Sequence, residues 1–373
     1  MQSKEVKDLK MERKYFIDNL RILCILLLFP FHVGMFYNDF GERFYIHIAD
    51  CVPASLLNIS TYPWWMPLLF VLAGASTFYA FGKRTAKQYI IERVLKLYIP
   101  FTAALILVIP VQTYLADIYF NNYSGNYFEH FKEFFVFTDF TGYDGHFTPA
   151  QTWFILYLFL ISLITLPLLK LAYNKNFDFR LSRFLILKLL LIAVIPYIIK
   201  PIANLGGKSI AEFMAWFLIG FFVFSNESFQ EKTAAWSIVK FPIFAILLIT
   251  RCVMYKIQFF GPYWDLLTYI FTWSGILSLF GLAKKFLNFN SAFTKYFSQA
   301  SYPLYILHQS VIVILGFFAA KYVMIPYILQ YILIVLISFV ITLGLYEIFR
   351  RNRVTSFLLR IKQLSGRYGA EPR

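Results

Sequence analysis

The chain alternates between apolar stretches about as long as a bilayer is thick and short polar segments rich in Lys and Arg. A helix needs about 20 apolar residues to cross the hydrocarbon core. That length predicts ten spans: 15–37, 59–81, 97–115, 152–173, 184–203, 209–225, 236–253, 264–286, 296–320 and 323–349. The expected fold is therefore all-α and polytopic, with one membrane domain over 1–349 and a basic tail over 350–373. Several spans contain proline (Pro30, Pro110, Pro167, Pro196, Pro303, Pro326). A span tolerates proline where neighbouring helices satisfy the freed backbone groups. The basic start followed by an apolar run has the look of a signal peptide. Asp18, Asn19 and Arg21 interrupt that run, however, and no small-residue cleavage site follows, so it is read as a retained first helix.

Composition agrees with the pattern. Hydrophobic residues make up 59% and charged residues 15% of the 373, with a mean hydropathy of +0.62. A soluble domain carries about a quarter charged residues, so an ordinary soluble enzyme is excluded. The three cysteines (Cys24, Cys51, Cys252) form no disulfide framework and no metal-ligand spacing. The net charge of +15 would suggest nucleic acid in a soluble protein. Here no nucleotide, zinc or dinucleotide motif supports that, and membrane topology explains the charge better. With the N-terminus in the cytoplasm, 27 of the 35 Lys and Arg fall on inner segments and seven on outer ones, with Arg21 inside the first span. That asymmetry predicts both termini inside. The longest connection, 116–151, then lies outside, and a loop of that length is usually functional.

Polar groups inside spans are the first candidates for chemistry. Arg21 and His32 are eleven residues apart, about three helical turns, which places them on one helix face about 16 Å apart along the axis. Pro30 predicts a kink just before His32. A cation at the inner mouth suits phosphates, and an imidazole higher up suits a general base. The alternatives are an arginine that snorkels to headgroups and a histidine satisfied within the bundle.

The run Phe16-Ile17-Asp18-Asn19-Leu20-Arg21 through His32 resembles the opening motif of acyltransferase family three, a group of integral membrane acyltransferases. Trp64-Trp65-Met66-Pro67 through Gly74 resembles its second-helix motif, and Arg93 through Phe101 its basic motif. Trp153-Phe154 and Ser301 through His308 resemble its later motifs, and the order covers nearly the whole chain. The branch most similar is that of the glucans biosynthesis C proteins. The resemblance implies transfer of an acyl group, acetyl or succinyl, from cytoplasmic acyl-CoA to a hydroxyl of an extracytoplasmic glycan, in a bacterial cytoplasmic membrane. It implies Arg21 and Arg93 on the donor side and His32 as base, with no metal. Arg84 and Lys96 are further candidates for the CoA phosphates. Trp64, Trp65, Trp153 and His308 are candidates for the acceptor, against an aromatic belt and a lone bundle histidine as the plainer explanations. Three positions depart from the family: Ala73 where Ser is common before the glycine, Gln151 where His is common, and Lys96 where Arg is common. Membrane lipids and the glycan are the expected partners; oligomeric state is not legible. A transporter or flippase for a glycan precursor and a non-catalytic export subunit are the rivals, the first disfavoured by the lack of an internal repeat.

The charge asymmetry makes a direct prediction. In intact cells, and in a background free of native cysteines, an impermeant thiol reagent labels a cysteine at Ser124 and misses one at Ser365. The reverse labelling would invert the topology.

Overall fold

The computed structural model describes residues 13–81, 84–174, 185–261 and 263–362. The first twelve residues, the start of the expected fifth span and the end of the basic tail (363–373) lie outside that set. The described residues are mostly helical, with one hairpin of two-residue strands, β1 (Asn204–Leu205) and β2 (Lys208–Ser209). Among the described residues, seven helices are long and apolar enough to span a membrane, and nine if each of two bent pairs counts as one span. Ten were expected. The remaining candidate, 184–203, shows a helix of 15 residues, Leu185–Ile199.

The first span breaks into α1 (Tyr15–Leu26) and α2 (Leu28–Gly34). The break falls at Leu27, and its cause is Pro30, which has no N–H for the Leu26 carbonyl and a ring that crowds it. Helix α3 (Val52–Phe81) starts earlier than the hydropathy suggests and contains Pro63 and Pro67. These prolines free the carbonyls of Ile59 and Pro63, one turn before each. Both are met by side chains of other helices. Arg251 Nε donates to the Ile59 oxygen at 3.2 Å, and Thr272 Oγ1 donates to the Pro63 oxygen at 3.2 Å. Buried Arg251, on α12 (Ser237–Lys256), is thus explained by a backbone need, and its guanidinium also lies 4.3 Å over Trp264. Thr272 belongs to α13 (Trp264–Phe286).

The expected third span runs on as a broken helix over Ala86–Asn121, through a π turn at Val94–Tyr98 and a second break before Pro110. The fourth, Ala150–Ile164 continued by Leu166–Tyr173, bends by 53° next to Pro167. The sixth, Ile210–Phe224, turns by 92° into Glu227–Ala235. Between α3 and α12 the described chain forms α4 (Ala86–Arg93), α5 (Ile99–Leu107), α6 (Pro110–Asn121), α7 (Tyr127–Glu133), α8 (Trp153–Asn174), α9 (Leu185–Ile199), α10 (Ile210–Ile219) and α11 (Glu227–Ala235), and the long helices α14 (Ala292–Tyr322) and α15 (Tyr327–Phe349) close the bundle. Helices α1 and α2 lie between α3 and α14 and touch both. That placement puts the first span at the centre of the fold.

Lipid tails are as apolar as leucine, so helices in a bilayer associate by close packing, best served by small residues. The tightest example joins α3 to the 210–224 segment. A Cβ on Gly74 would land on the Phe217 carbonyl oxygen, and a Cβ on Gly220 would land on that of Val71. Each glycine lets the other helix's backbone through, and a backbone cannot swing aside as a side chain can. Gly74→Ala and Gly220→Ala are each expected to cost about 3 kcal/mol, the upper end for overpacking, and to lower the melting temperature in detergent by several degrees. Gly344→Ala, with nothing within 4 Å of its Cβ, is the control and leaves it unchanged.

Candidate active site

His32 is carried by the short helix α2, just beyond the proline break. It sits among aromatic side chains from three parts of the chain. The ring of Phe44, from the 38–51 loop, stacks on it at 5.8 Å and 13°. The ring of His308, from α14, lies 5.1 Å away at 39°. Phe31 packs on its edge at 5.2 Å and is itself wedged against Trp65 and Tyr62. His32 is partly exposed, while His308 is fully buried. His32 Nδ1 and His308 Nε2 are both enclosed without a hydrogen-bond partner. Tyr331 donates to the Pro30 carbonyl at 2.9 Å, which steadies the turn that presents His32.

A polar seam runs behind His308. Its Nδ1 lies 2.7 Å from the Tyr305 carbonyl. The Tyr305 hydroxyl donates to the Gln151 carbonyl. The Gln151 amide donates to the Ile306 carbonyl at 2.7 Å and accepts from Gln112 at 3.0 Å. Gln112 also donates to Ser310 at 2.6 Å and accepts from Gln309 at 2.9 Å. Of these amides only Gln151 was singled out from the sequence, as a departure from the family pattern, and not Gln112 or Gln309. The signal was there: His308-Gln309-Ser310 is three consecutive polar residues inside an apolar span, which is costly unless they are bonded to one another or to backbone.

Two loops cap this centre. Phe44 and Tyr45 are buried under the 122–149 segment, where Tyr143 meets them edge-on at 6.2 and 5.2 Å. Arg43 pairs with Asp144 at 3.1 Å, and Tyr119 donates to the His47 carbonyl. The long connection is therefore ordered, with its own helix at Tyr127–Glu133 capped by Asn126 and Glu129. Buried His130 lies 3.4 Å from Asp117 and between Tyr114 and Tyr123. Beside the cap, burial pushes the Glu42 carboxyl up, and Lys208 draws it back down. Lys208 lies 5.5 Å over Trp153.

The arginines collect at the other end of α3. Arg21 Nη2 donates to Ser76 at 2.7 Å, and Nη1 pairs with Asp18 at 3.2 Å. Arg93 reaches the next residue, Thr77, at 3.5 Å and lies 4.5 Å over Tyr89, with its Nε enclosed and unpartnered. Arg21 and Arg93 thus converge on Ser76 and Thr77. Arg84 and Lys96 share one carboxylate instead, that of Glu92, at 2.8 and 3.2 Å. Glu347 pairs with Arg350 at 3.0 Å. Trp65 is a core side chain, 2% exposed, whose N–H donates to the Cys24 carbonyl at 3.0 Å. Trp64 donates to the Ser60 carbonyl at 2.7 Å and packs edge-on against Phe244. Trp153 lies among Phe70, Tyr157 and Phe213.

Residues 14–347 match the family model described as an acyltransferase domain, acyltransferase family three. The chain belongs to this family. No curated protein and no solved structure matches it. It is accordingly a multi-pass membrane acyltransferase. Two of its departures from the family pattern have a clear setting. Gln151 uses both ends of its amide in the seam described above, a role that needs a donor and an acceptor but no titrating group. Lys96 pairs with Glu92 at 3.2 Å, a contact that a point charge makes as well as a guanidinium fork.

The cap carries a pH dependence. Burial pushes the His130 imidazole below its usual 6.5, and Asp117 pulls it partly back. The unfolded loop then binds the proton before the folded one does. The stabilisation is present above the usual value and is lost as pH falls through it. Hydrogen-exchange protection across 122–149 is expected to drop between about pH 7 and about pH 5. The drop should vanish in His130→Gln; an equal drop in both proteins would remove His130 as its cause.

Proposed function

We propose that this acyltransferase moves an acetyl or succinyl group from acyl-CoA on the cytoplasmic side to a hydroxyl of a glycan on the outer side, with His32 as general base. The reading is supported above all by the separation of two chemistries along one short path. Arg21 and Arg93 converge at one end of α3. His32 stands beyond the break in the first span, under a cap of aromatic residues. Guanidinium groups suit phosphates because they bind them bidentately and stay charged. An imidazole suits proton removal from a hydroxyl because its pKa lies near neutrality.

In this scheme the donor lies with its phosphates near Arg21 and Arg93 and its thioester beside His32. The acceptor hydroxyl enters beneath the cap. Trp153, Lys208 and Glu42 offer an aromatic face, a donor and an acceptor of the kind sugars use. His32 takes the hydroxyl proton as the oxygen attacks the thioester carbonyl carbon. The carbon–sulfur bond breaks, and His32 returns the proton to the departing thiolate. The similarity to the glucans biosynthesis C branch points to a surface glucan as acceptor, and the charge asymmetry to a bacterial cytoplasmic membrane with both termini inside.

Thiol release from acetyl-CoA and from succinyl-CoA by the purified protein, with mass spectrometry of surface glycans from cells with and without it, tests the proposal. His32→Ala is expected to lose about 10²–10⁴-fold in rate with expression and donor binding retained. Arg21→Ala and Arg93→Ala should each weaken acyl-CoA binding by about one to two orders of magnitude, and Lys should restore only part of it. Transport of a labelled glycan precursor without thiol release would replace this reading with that of a flippase.

A further inference from the structure

The two imidazoles at the centre of the bundle are not equivalent. His308 Nδ1 stands 2.7 Å from the Tyr305 carbonyl oxygen. A carbonyl can only accept, so Nδ1 carries the proton, and in the neutral ring Nε2 holds the lone pair. That Nε2 is enclosed with no partner, in a side chain with no exposed surface. An enclosed acceptor without a donor is costly, more so where no water reaches. The neighbouring groups offer no donor. Phe29 packs on the ring at 5.7 Å, the Tyr305 hydroxyl is bound to Gln151, and the Gln309 amide is bound to Gln112. His32 has the complementary deficiency. Its Nδ1 is enclosed and unpartnered, on a ring whose centroid is 5.1 Å from that of His308. With His308 held by the Tyr305 carbonyl, a turn of the His32 ring at that separation brings its Nδ1 towards His308 Nε2.

We infer that His308 is a positioning residue for His32: its Nε2 lone pair receives the His32 Nδ1–H and so leaves His32 Nε2 free as the proton acceptor. The inference rests on the proposed role of His32 as base. In the step itself, the acceptor's O–H proton passes to His32 Nε2 and the oxygen bonds to the thioester carbon. The carbon–sulfur pair stays on sulfur, and the Nε2 proton then moves to that sulfur. The Nδ1 proton never leaves His32, and His308 gains none. What His308 supplies is a lone pair for the second N–H of the imidazolium, which would otherwise face hydrocarbon. A buried carboxylate does this in Ser–His–Asp triads. A neutral imidazole does it here without placing a further charge in the bilayer interior. The polar seam holds His308 in place, since Gln151 ties the Tyr305 hydroxyl and the Ile306 carbonyl of the same helix.

Three variants of the full-length purified protein test this: His308→Phe, which fills the space without a lone pair; His308→Gln, whose amide oxygen reaches the place of Nε2; and His308→Asn, whose amide keeps the Tyr305 contact but falls short of His32. The first readout needs no substrate. Carbethoxylation of His32 by diethyl pyrocarbonate, followed by mass spectrometry, reports the free lone pair on its Nε2. It is expected to slow about tenfold in the Phe and Asn variants and to return close to wild type in the Gln variant. The second readout is thiol release from acetyl-CoA or succinyl-CoA. Its kcat should fall about 10²-fold in the Phe and Asn variants, with KM within about twofold. Gln should recover most of the loss. Equal carbethoxylation of wild type and Asn variant, or a Gln variant no faster than the Asn variant, overturns the inference, and this comparison stands even if the Phe variant fails to fold. A wild-type protein that releases no thiol ends the proposed reaction, while the carbethoxylation series still decides the His32–His308 contact.

Discussion

Hydrocarbon offers nothing to a stray N–H or C=O, so each backbone polar group that a proline frees inside a span needs a partner from elsewhere in the protein. Much of this bundle follows from that constraint. Pro63 and Pro67 open α3 twice, and the openings are filled by Arg251 from α12 and Thr272 from α13. Pro30 breaks the first span by leaving the Leu26 carbonyl without its donor, and Tyr331 from α15 steadies the turn that follows through a different group, the Pro30 carbonyl. Side chains that look out of place in a bilayer are thus the ties that fix which helices are neighbours. The prolines create the need, and the helices that meet it are thereby fixed as neighbours of α3.

The same accounting brings out the centre of the site. Gln112, Gln151, Gln309 and Ser310 satisfy one another in a closed seam. The enclosed nitrogens of His32 and His308, on rings 5.1 Å apart, are left over. Around His308 the amides are tied up while two adjacent imidazole nitrogens stay bare. The cations are arranged with the same economy. Arg84 and Lys96 share the single carboxylate of Glu92, Arg21 is held between the Asp18 carboxylate and the Ser76 hydroxyl, and Arg93 meets the Thr77 hydroxyl and the Tyr89 ring.

The apolar lengths and the excess of positive charge on alternate segments were enough to establish a polytopic helical membrane protein, because bilayer thickness imposes both. The Arg21–His32 spacing and the ordered motifs were likewise legible, since they reside in local sequence. The exact span count was less so. The fourth candidate bends by 53° next to Pro167 and the sixth turns by 92° into the helix that Asn226 caps, and hydropathy records neither.

What the tertiary structure alone decided is which polar groups meet. Phe44 and His308 are 12 and 276 residues from His32 in the chain, and nothing in their local sequence says that they enclose it. Trp65 and Trp153 look alike as sequence, yet one is sealed in the core while the other lies beneath Lys208. Arg84, Lys96, Arg21 and Arg93 look alike as sequence, yet the first two share Glu92, Arg21 meets Asp18 and Ser76, and Arg93 reaches Thr77. The physical reason is the same throughout. Span length and side are set by each segment's own transfer energy into lipid, whereas hydrogen-bond partners are set by which helices approach closely, as at Gly74 and Gly220, where the absence of a Cβ lets two backbones touch.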